Sequence, residues 1–236
     1  GCRVLGEGVR GGPTGFCPAP WERCGTMDEI GRLKEKAITK RDITVEEALR
    51  IVGLGGEHFF SLLAAASEIR EHFKGKRISL CAIINAKSGR CAENCRFCAQ
   101  SAHYETDALE YPLVSSEEII RKGREARQEG AHLFGIVTSG TEISEQTEWE
   151  EVFRAVQGLN EVGIRPCGSL GMLSREAARN LREAGLYRYH HNLETSRSFF
   201  DRICSTHEYD EDIETVRTAR EAGLSVCSGG IIGMRR

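Results

Sequence analysis

The residues from Ser88 to Tyr104 read SGRCAENCRFCAQSAHY and set Cys91, Cys95 and Cys98 in a C-x3-C-x2-C spacing. Three thiolates so close together in a loop can wrap one face of a cubane 4Fe-4S cluster and leave the fourth iron without a protein ligand, and an open iron is a reaction site. Zinc is the alternative occupant, although structural zinc sites favour paired C-x2-C knuckles completed by a second pair or by histidines at fixed spacing. His103 stands near enough in sequence to act as a fourth ligand. Two later cysteines, Cys167 in RPCGSLG and Cys227 in SVCSGGI, occupy equivalent points of two apolar segments and are each followed by small residues. As residues alone they are either metal ligands or two small buried hydrophobes. Asn192 and Glu194 in HHNLETS are two apart, so strand alternation turns them to the same side. A carboxylate there accepts two hydrogen bonds.

Something must position these groups, and the periodicity says what. Helical spacing runs over Thr44–Gly53, with Thr44 as N-cap ahead of Glu47, and over Glu57–Gly75, with Gly75 as the stop. After this helical preface a strand–helix unit repeats. Strands are predicted at Ile78–Ile84, His132–Thr138, Ile164–Leu170, Leu186–Leu193 and Leu224–Ile231. Helices are predicted at Ser116–Glu129, Glu148–Glu161, Ser174–Ala184 and Asp210–Ala222. Each helix leaves through a glycine followed at once by an apolar strand, as in QEGAHLFGIV and REAGLSVCSGG. Serial β-α units with right-handed crossovers predict an α/β fold, a TIM-type (β/α) barrel of which about five units are present, ahead of an open doubly wound sheet. Catalytic groups in such barrels sit at the C-terminal ends of strands. The cysteine triplet follows the first strand directly.

Composition narrows the partners. With 32 basic and 35 acidic residues among 236 and no dense run of one sign, nothing predicts a nucleic-acid or membrane-surface partner, and a small-molecule substrate is expected. No apolar run approaches the roughly 20 residues of a membrane span. The first residues lack the basic-then-apolar pattern of a secretory signal, so the sequence reads as cytoplasmic, with its 10 cysteines serving as ligands or packing groups and not as disulfides. Residues 1–26 are aperiodic and rich in Gly, Pro and Arg; they read as a non-native or disordered leader before a natural start at Met27, and Cys2, Cys17 and Cys24 are expected to carry no function. The expected organisation is thus a leader at 1–26, a helical segment at 27–76 and a partial barrel at 77–236. The ending GMRR is expected to fall before the barrel is complete, which would leave this chain inactive by itself.

The aromatic before the third cysteine makes Cys91, Cys95, Phe97 and Cys98 resemble the radical S-adenosylmethionine superfamily signature, C-x3-C-x-aromatic-C. The resemblance implies that the open iron chelates S-adenosylmethionine, that an electron from the cluster splits the sulfonium to a 5'-deoxyadenosyl radical, and that Phe97 packs near the adenine. From Ile43 to Met234 the sequence also resembles the biotin synthase family, through NAKSGRCAENCRFCAQSAHY, GIVTSG, CGSLGMLS, YHHNLETS and VCSGGIIGM in order. That likeness implies sulfur insertion into dethiobiotin and a second iron–sulfur cluster, 2Fe-2S or atypical, on Cys167 and Cys227. It implies Asn192 as a substrate contact, Glu194 at the cofactor ribose, and Ser139 and Gly140 at the methionine end. It also implies an electron donor such as flavodoxin or ferredoxin and a homodimer when full length. Cys81 and Cys204 match no ligand position and read as core or surface residues. The sequence departs from the family at Gly135, where most relatives carry a third second-cluster cysteine, at His207, which is Arg in some, and in lacking the late strand that bears a further Arg ligand. The rival readings are another barrel enzyme of the superfamily, such as the hydrogenase-maturation or methylornithine-synthesis relatives, and a zinc-stabilised module without catalysis.

Overall fold

The computed structural model describes residues 20–234, with side chains from Glu29 onward. The described residues divide into two compact units, one ending at Ile78 and one beginning at Ser79. In the first, α1 spans Pro20–Ile38, α2 Val45–Gly53 and α3 Phe59–Lys74, with a short 3-10 turn at Gly56–His58 that breaks the single helix expected from Glu57. Over the described residues α1 runs without interruption from Pro20 through Met27 to Ile38. Residues 1–19, with Cys2 and Cys17, lie outside the described residues, as do Arg235 and Arg236. At α2 the capping box forms: Glu47 N–H donates to Thr44 Oγ1 (3.2 Å) and Thr44 N–H to Glu47 Oε2 (2.9 Å). Gly75 ends α3 at φ 68°. Among the described residues no single helix is long and apolar enough to cross a membrane.

The second unit is a five-stranded parallel sheet in the order β1-β2-β3-β4-β5. The strands are β1 Cys81–Lys87, β2 Leu133–Thr138, β3 Arg165–Ser169, β4 Arg188–His190 and β5 Ser225–Cys227. The helices between and after them are α4 Ser116–Gln128, α5 Gln146–Val162, α6 Arg175–Glu183, α7 Arg197–Phe200 and α8 Tyr209–Glu221. A doubly wound sheet reverses its strand order at a switch point, whereas this order runs monotonically, as around a barrel wall. The two faces of the sheet confirm the distinction. Phe134, Ile136 and Tyr189 share one face and pack into a single core with Ile119, Val152 and Leu181 of the helices. The other face carries Cys81, Ile83, Gly135, Cys167, Arg188 and Cys227, and Ile83 there is 66% exposed. The wall is not closed: β1 pairs with β2 and β5 with β4, and among the described residues the two outer strands are not bonded to each other.

Local chemistry accounts for the boundaries. Ser115 and Ser174 cap α4 and α6, and Gly130, Gly163, Gly185 and Gly223 all take the positive φ that releases each helix into the next strand. β1 begins and ends three residues later than predicted: Ile78 and Leu80 stay exposed outside the ladder, while polar Asn85 and Lys87 join it opposite Val137 and Thr138. β4 and β5 are shorter than predicted. Beyond them the chains remain bonded, His191 N–H to Cys227 O (3.1 Å) and Leu193 N–H to Gly229 O (2.9 Å), and Glu194, in the left-handed region at φ 58°, still bridges Gly230.

Candidate active site

The cysteine loop is built by its own backbone. Gly89 (φ 81°) and Arg90 (φ 53°) swing the chain off the end of β1. Gln100 then ties the turn, its Oε1 accepting from Ser88 Oγ (2.9 Å) and Gly89 N–H (2.5 Å). Cys91 N–H donates to Gln100 O (3.0 Å), Ala102 N–H to Cys91 O (2.9 Å) and Cys98 N–H to Cys95 O (3.0 Å). These bonds curl the loop so that Cys91, Cys95 and Cys98 line one cavity of about 210 Å3 at the C-terminal end of the sheet, as the barrel rule requires. The described cysteines are free thiols.

Facing the loop is a polar network that the sequence did not disclose. Cys204, read there as a core or surface residue, is buried with its sulfur 3.7 Å from Cys95 Sγ. His207 Nδ1 lies 3.3 Å from Cys204 Sγ and 2.6 Å from Glu93 Oε2, and its Nε2 is 3.5 Å from Asp212 Oδ2. Asp212 Oδ1 in turn accepts from His191 Nε2 (2.8 Å), and Glu93 accepts from Thr141 Oγ1 (2.6 Å) and from Thr206. The hydrogen bond to Asp212, with that to Glu93, outweighs burial and raises the His207 pKa to about 9, so the ring is a cation at neutral pH. Burial works against the charge on Glu93 and Asp212, yet Thr141, Thr206 and the histidines keep both carboxyls below their ordinary range. Burial, then neighbouring Cys204, pushes the Cys95 thiol up, and burial does the same to Cys91. Among the described residues, Cys95, Cys204 and His207 form a group whose ligand atoms all lie within 4.8 Å of one another.

The expected site residues fall into three places. Phe97, Gly140, Asn192 and Glu194 line the same cavity as the triplet. Glu194 holds its strained backbone because Gly230 admits its carbonyl: a Cβ at Gly230 would stand 2.8 Å from Glu194 O. Burial raises the Glu194 pKa, opposed by the hydrogen bond from Asn192. Ser139 is buried, and its hydroxyl is spent on Gly89 O (2.8 Å), bracing the cysteine loop. Cys167 and Cys227 sit away from this cavity on the barrel-inner face of β3 and β5. His103 Nε2 bonds the Ala92 carbonyl (2.9 Å), so it braces the loop from behind. Thr141, His191 and Asp212 were missed in the sequence. The adjacent histidines at a strand end were the available signal for His191, but Asp212 is indistinguishable by sequence from first-turn acids such as Asp210 and Glu211.

A donor set of three sulfurs on one loop suits a soft metal–sulfur group. Cys91 and Cys95, whose thiols burial would otherwise keep protonated, become thiolates on a bound metal. These residues therefore fit a 4Fe-4S cluster. A parallel barrel wall with an all-sulfur loop at its catalytic end defines the class of barrel enzymes that work through a metal–sulfur centre. Residues 86–236 match the Radical SAM superfamily, and the chain belongs to that superfamily. It is 52% identical over 206 residues to the biotin synthase of Geotalea daltonii (strain DSM 22248 / JCM 15807 / FRC-32), covering 87% of this chain and 63% of the relative. To the biotin synthase of Pelotomaculum thermopropionicum (strain DSM 13744 / JCM 10971 / SI) it is 51% identical over 206 residues, covering 87% and 64%. The chain thus spans less than two thirds of the length of these curated relatives. Among solved structures it resembles methylornithine synthase (PylB), with TM-score 0.71, 23% identity and coverage of 85% of this chain and 59% of that one. It also resembles HydG, a maturase of the FeFe-hydrogenase, with TM-score 0.72, 21% identity and coverage of 91% and 49%. These two likenesses concern the fold.

Proposed function

We propose that the chain carries the catalytic barrel of a biotin synthase, inserting sulfur into dethiobiotin. The supporting observation is identity of about half over most of the chain to proteins of that name, through both the cysteine loop and the strand ends that bear Asn192 and Glu194. A bound 4Fe-4S cluster with S-adenosylmethionine supplies the one-electron cleavage that generates a carbon-centred radical. The chain's part is to hold and seclude. Cys91, Cys95 and Cys98 hold the cluster, and Phe97 and Gly140 shape the cavity for the adenosyl and methionine parts. Glu194 accepts from ribose hydroxyls, and Asn192, hydrogen-bonded beside it, orients the ureido ring of dethiobiotin. Ser139 acts through the loop it braces. Cys167 and Cys227 hold a second iron–sulfur cluster, the sulfur source, whose composition is atypical because Gly135 offers no thiolate. A flavodoxin- or ferredoxin-like protein supplies the electron in a reducing cytoplasm, and the full-length protein is a homodimer.

The test is anaerobic reconstitution with iron and sulfide, followed by S-adenosylmethionine, dithionite and dethiobiotin. Biotin and 5'-deoxyadenosine, detected by mass spectrometry, are the expected products; 5'-deoxyadenosine with no biotin contradicts the substrate. The proximity of Cys95, Cys204 and His207 favours a second reading, a single-ion zinc site. That reading predicts a colourless protein, whereas thiolate-to-iron absorption removes it.

A further inference from the structure

We propose that Cys81 is the third thiolate of the second metal–sulfur site, completing Cys167 and Cys227, and that Arg188 donates hydrogen bonds to the sulfides of the bound iron–sulfur cluster. The inference rests on the reading of Cys167 and Cys227 as cluster ligands, and goes beyond it in naming the ligand set.

The register carries the argument. Ile83 pairs with Gly135, Gly135 with Cys167, Cys167 with Arg188, and Arg188 with Ser225. Residues paired across a parallel ladder point to the same face, and a step of two along a strand keeps that face. Cys81 lies two residues before Ile83 and Cys227 two after Ser225. All three cysteines and Arg188 therefore project into the barrel interior, on the face opposite the helix-covered core. Gly135, paired with Ile83 on β1 and Cys167 on β3, raises no side chain beside Cys167, and Cys81 lies one same-face position before Ile83.

The groups also feel one another. Burial, then Cys81, pushes the Cys167 thiol up to about 12, with Arg188 opposing and Cys227 adding. Burial raises Cys81 as well, again opposed by Arg188 and reinforced by Cys227. A set of thiols sharing one guanidinium is matched to an anionic, sulfur-rich ligand. Arg188 Nε is buried and has no hydrogen-bond partner. A buried donor without an acceptor is costly, and a cluster sulfide is the acceptor that this face lacks. A single zinc ion would leave that donor without an acceptor and place a cation beside it. On binding, each of the three thiols releases its proton to solvent and forms one sulfur–iron bond.

The experiment isolates the second site by combining Cys91→Ala, Cys95→Ala and Cys98→Ala, then reconstituting anaerobically with ferrous iron and sulfide. Iron per chain, Mössbauer spectra and reduction potential are the readouts, with circular dichroism verifying the fold. The triple variant should retain cluster iron, and adding Cys81→Ala should weaken that retention by about tenfold or more. Adding Gly135→Cys to the Cys81→Ala protein should restore it, since a Cβ there meets the Cγ2 methyl of the exposed Ile83 at 3.1 Å and otherwise has only ordinary contacts at 3.8 Å. Arg188→Gln should keep the iron and lower the reduction potential, because the reduced, more negative cluster loses a donor. Unchanged iron and spectra after Cys81→Ala overturn the ligand assignment, and an unchanged potential in Arg188→Gln overturns the donor role. A triple variant that binds no iron with Cys81, Cys167 and Cys227 intact overturns the second-cluster reading itself.

Discussion

Cys95 is where two networks meet, the all-sulfur loop on one side and the Cys204–His207 pair on the other. Replacing Cys91, Cys95 or Cys98 with Ala should abolish reductive cleavage of S-adenosylmethionine. Release of 5'-deoxyadenosine at the unmodified rate by any one of these variants refutes the cluster assignment. His207 gives a pH signature in the metal-free protein. Its folded pKa lies near 9, above the ordinary value of about 6.5, so its stabilising charge is complete below about 6.5 and lost as pH rises through about 9. Glu93 and Asp212 act at the other end, contributing above the ordinary carboxylate range of about 4 and losing that contribution as pH falls. Urea midpoints followed from pH 6 to 10 should fall in the unmodified protein and stay nearly level in His207→Gln, and parallel curves count against this account. At this scale the triplet was legible because its ligands are three and four residues apart. Cys204 was not, since its contact with Cys95 spans 109 residues and a lone cysteine in sequence carries no spacing to read. Glu93 hid inside the C-x3-C spacer, where any residue fits the pattern.

The longer helices of the second unit were readable from the same local chemistry that forms them, serine caps opening α4 and α6 and glycines following α4, α5, α6 and α8. Strand ends were not, because long-range pairing decides them: Asn85 and Lys87 have poor strand propensity yet pair, and β4 ends at His190 although the chain stays bonded to its neighbour as far as Glu194. The barrel rule still carried the site from element order alone. Close approach between strand-end loops is the finer control. The Thr141 carbonyl, which accepts from Met172 N–H (2.7 Å), lies so close to Gly171 (φ 83°) that a Cβ there would collide with it. Gly171→Ala should cost about 1–3 kcal/mol of stability and raise KM for S-adenosylmethionine, since Thr141 lines the cavity; a wild-type melting curve would show that the loops have slack. In the first unit, Thr44→Ala removes the capping-box hydroxyl and should cost about 1 kcal/mol, read as loss of helix circular dichroism on heating.

For the whole molecule the open wall sets the behaviour in solution. Unpaired parallel edges on β1 and β5, with Cys81, Ile83 and Cys227 exposed on the inner face, are surfaces that other chains can pair with or cover. This 236-residue chain should therefore self-associate in sedimentation velocity at micromolar concentrations; a monodisperse monomer that unfolds cooperatively would argue that the edges are protected. The monotonic strand order has a further consequence, in time. Because each strand pairs with the one made just before it, the wall can grow in the direction of translation without waiting for distant segments. The cysteine loop then leaves the ribosome directly after β1, while the residues that brace its far side arrive more than a hundred positions later: Asn94 Nδ2 bonds Ser205 Oγ (2.8 Å) across 111 residues. Until then the side of the triplet that Cys204 and His207 cover is open, because the Cys95–Cys204 contact spans 109 residues.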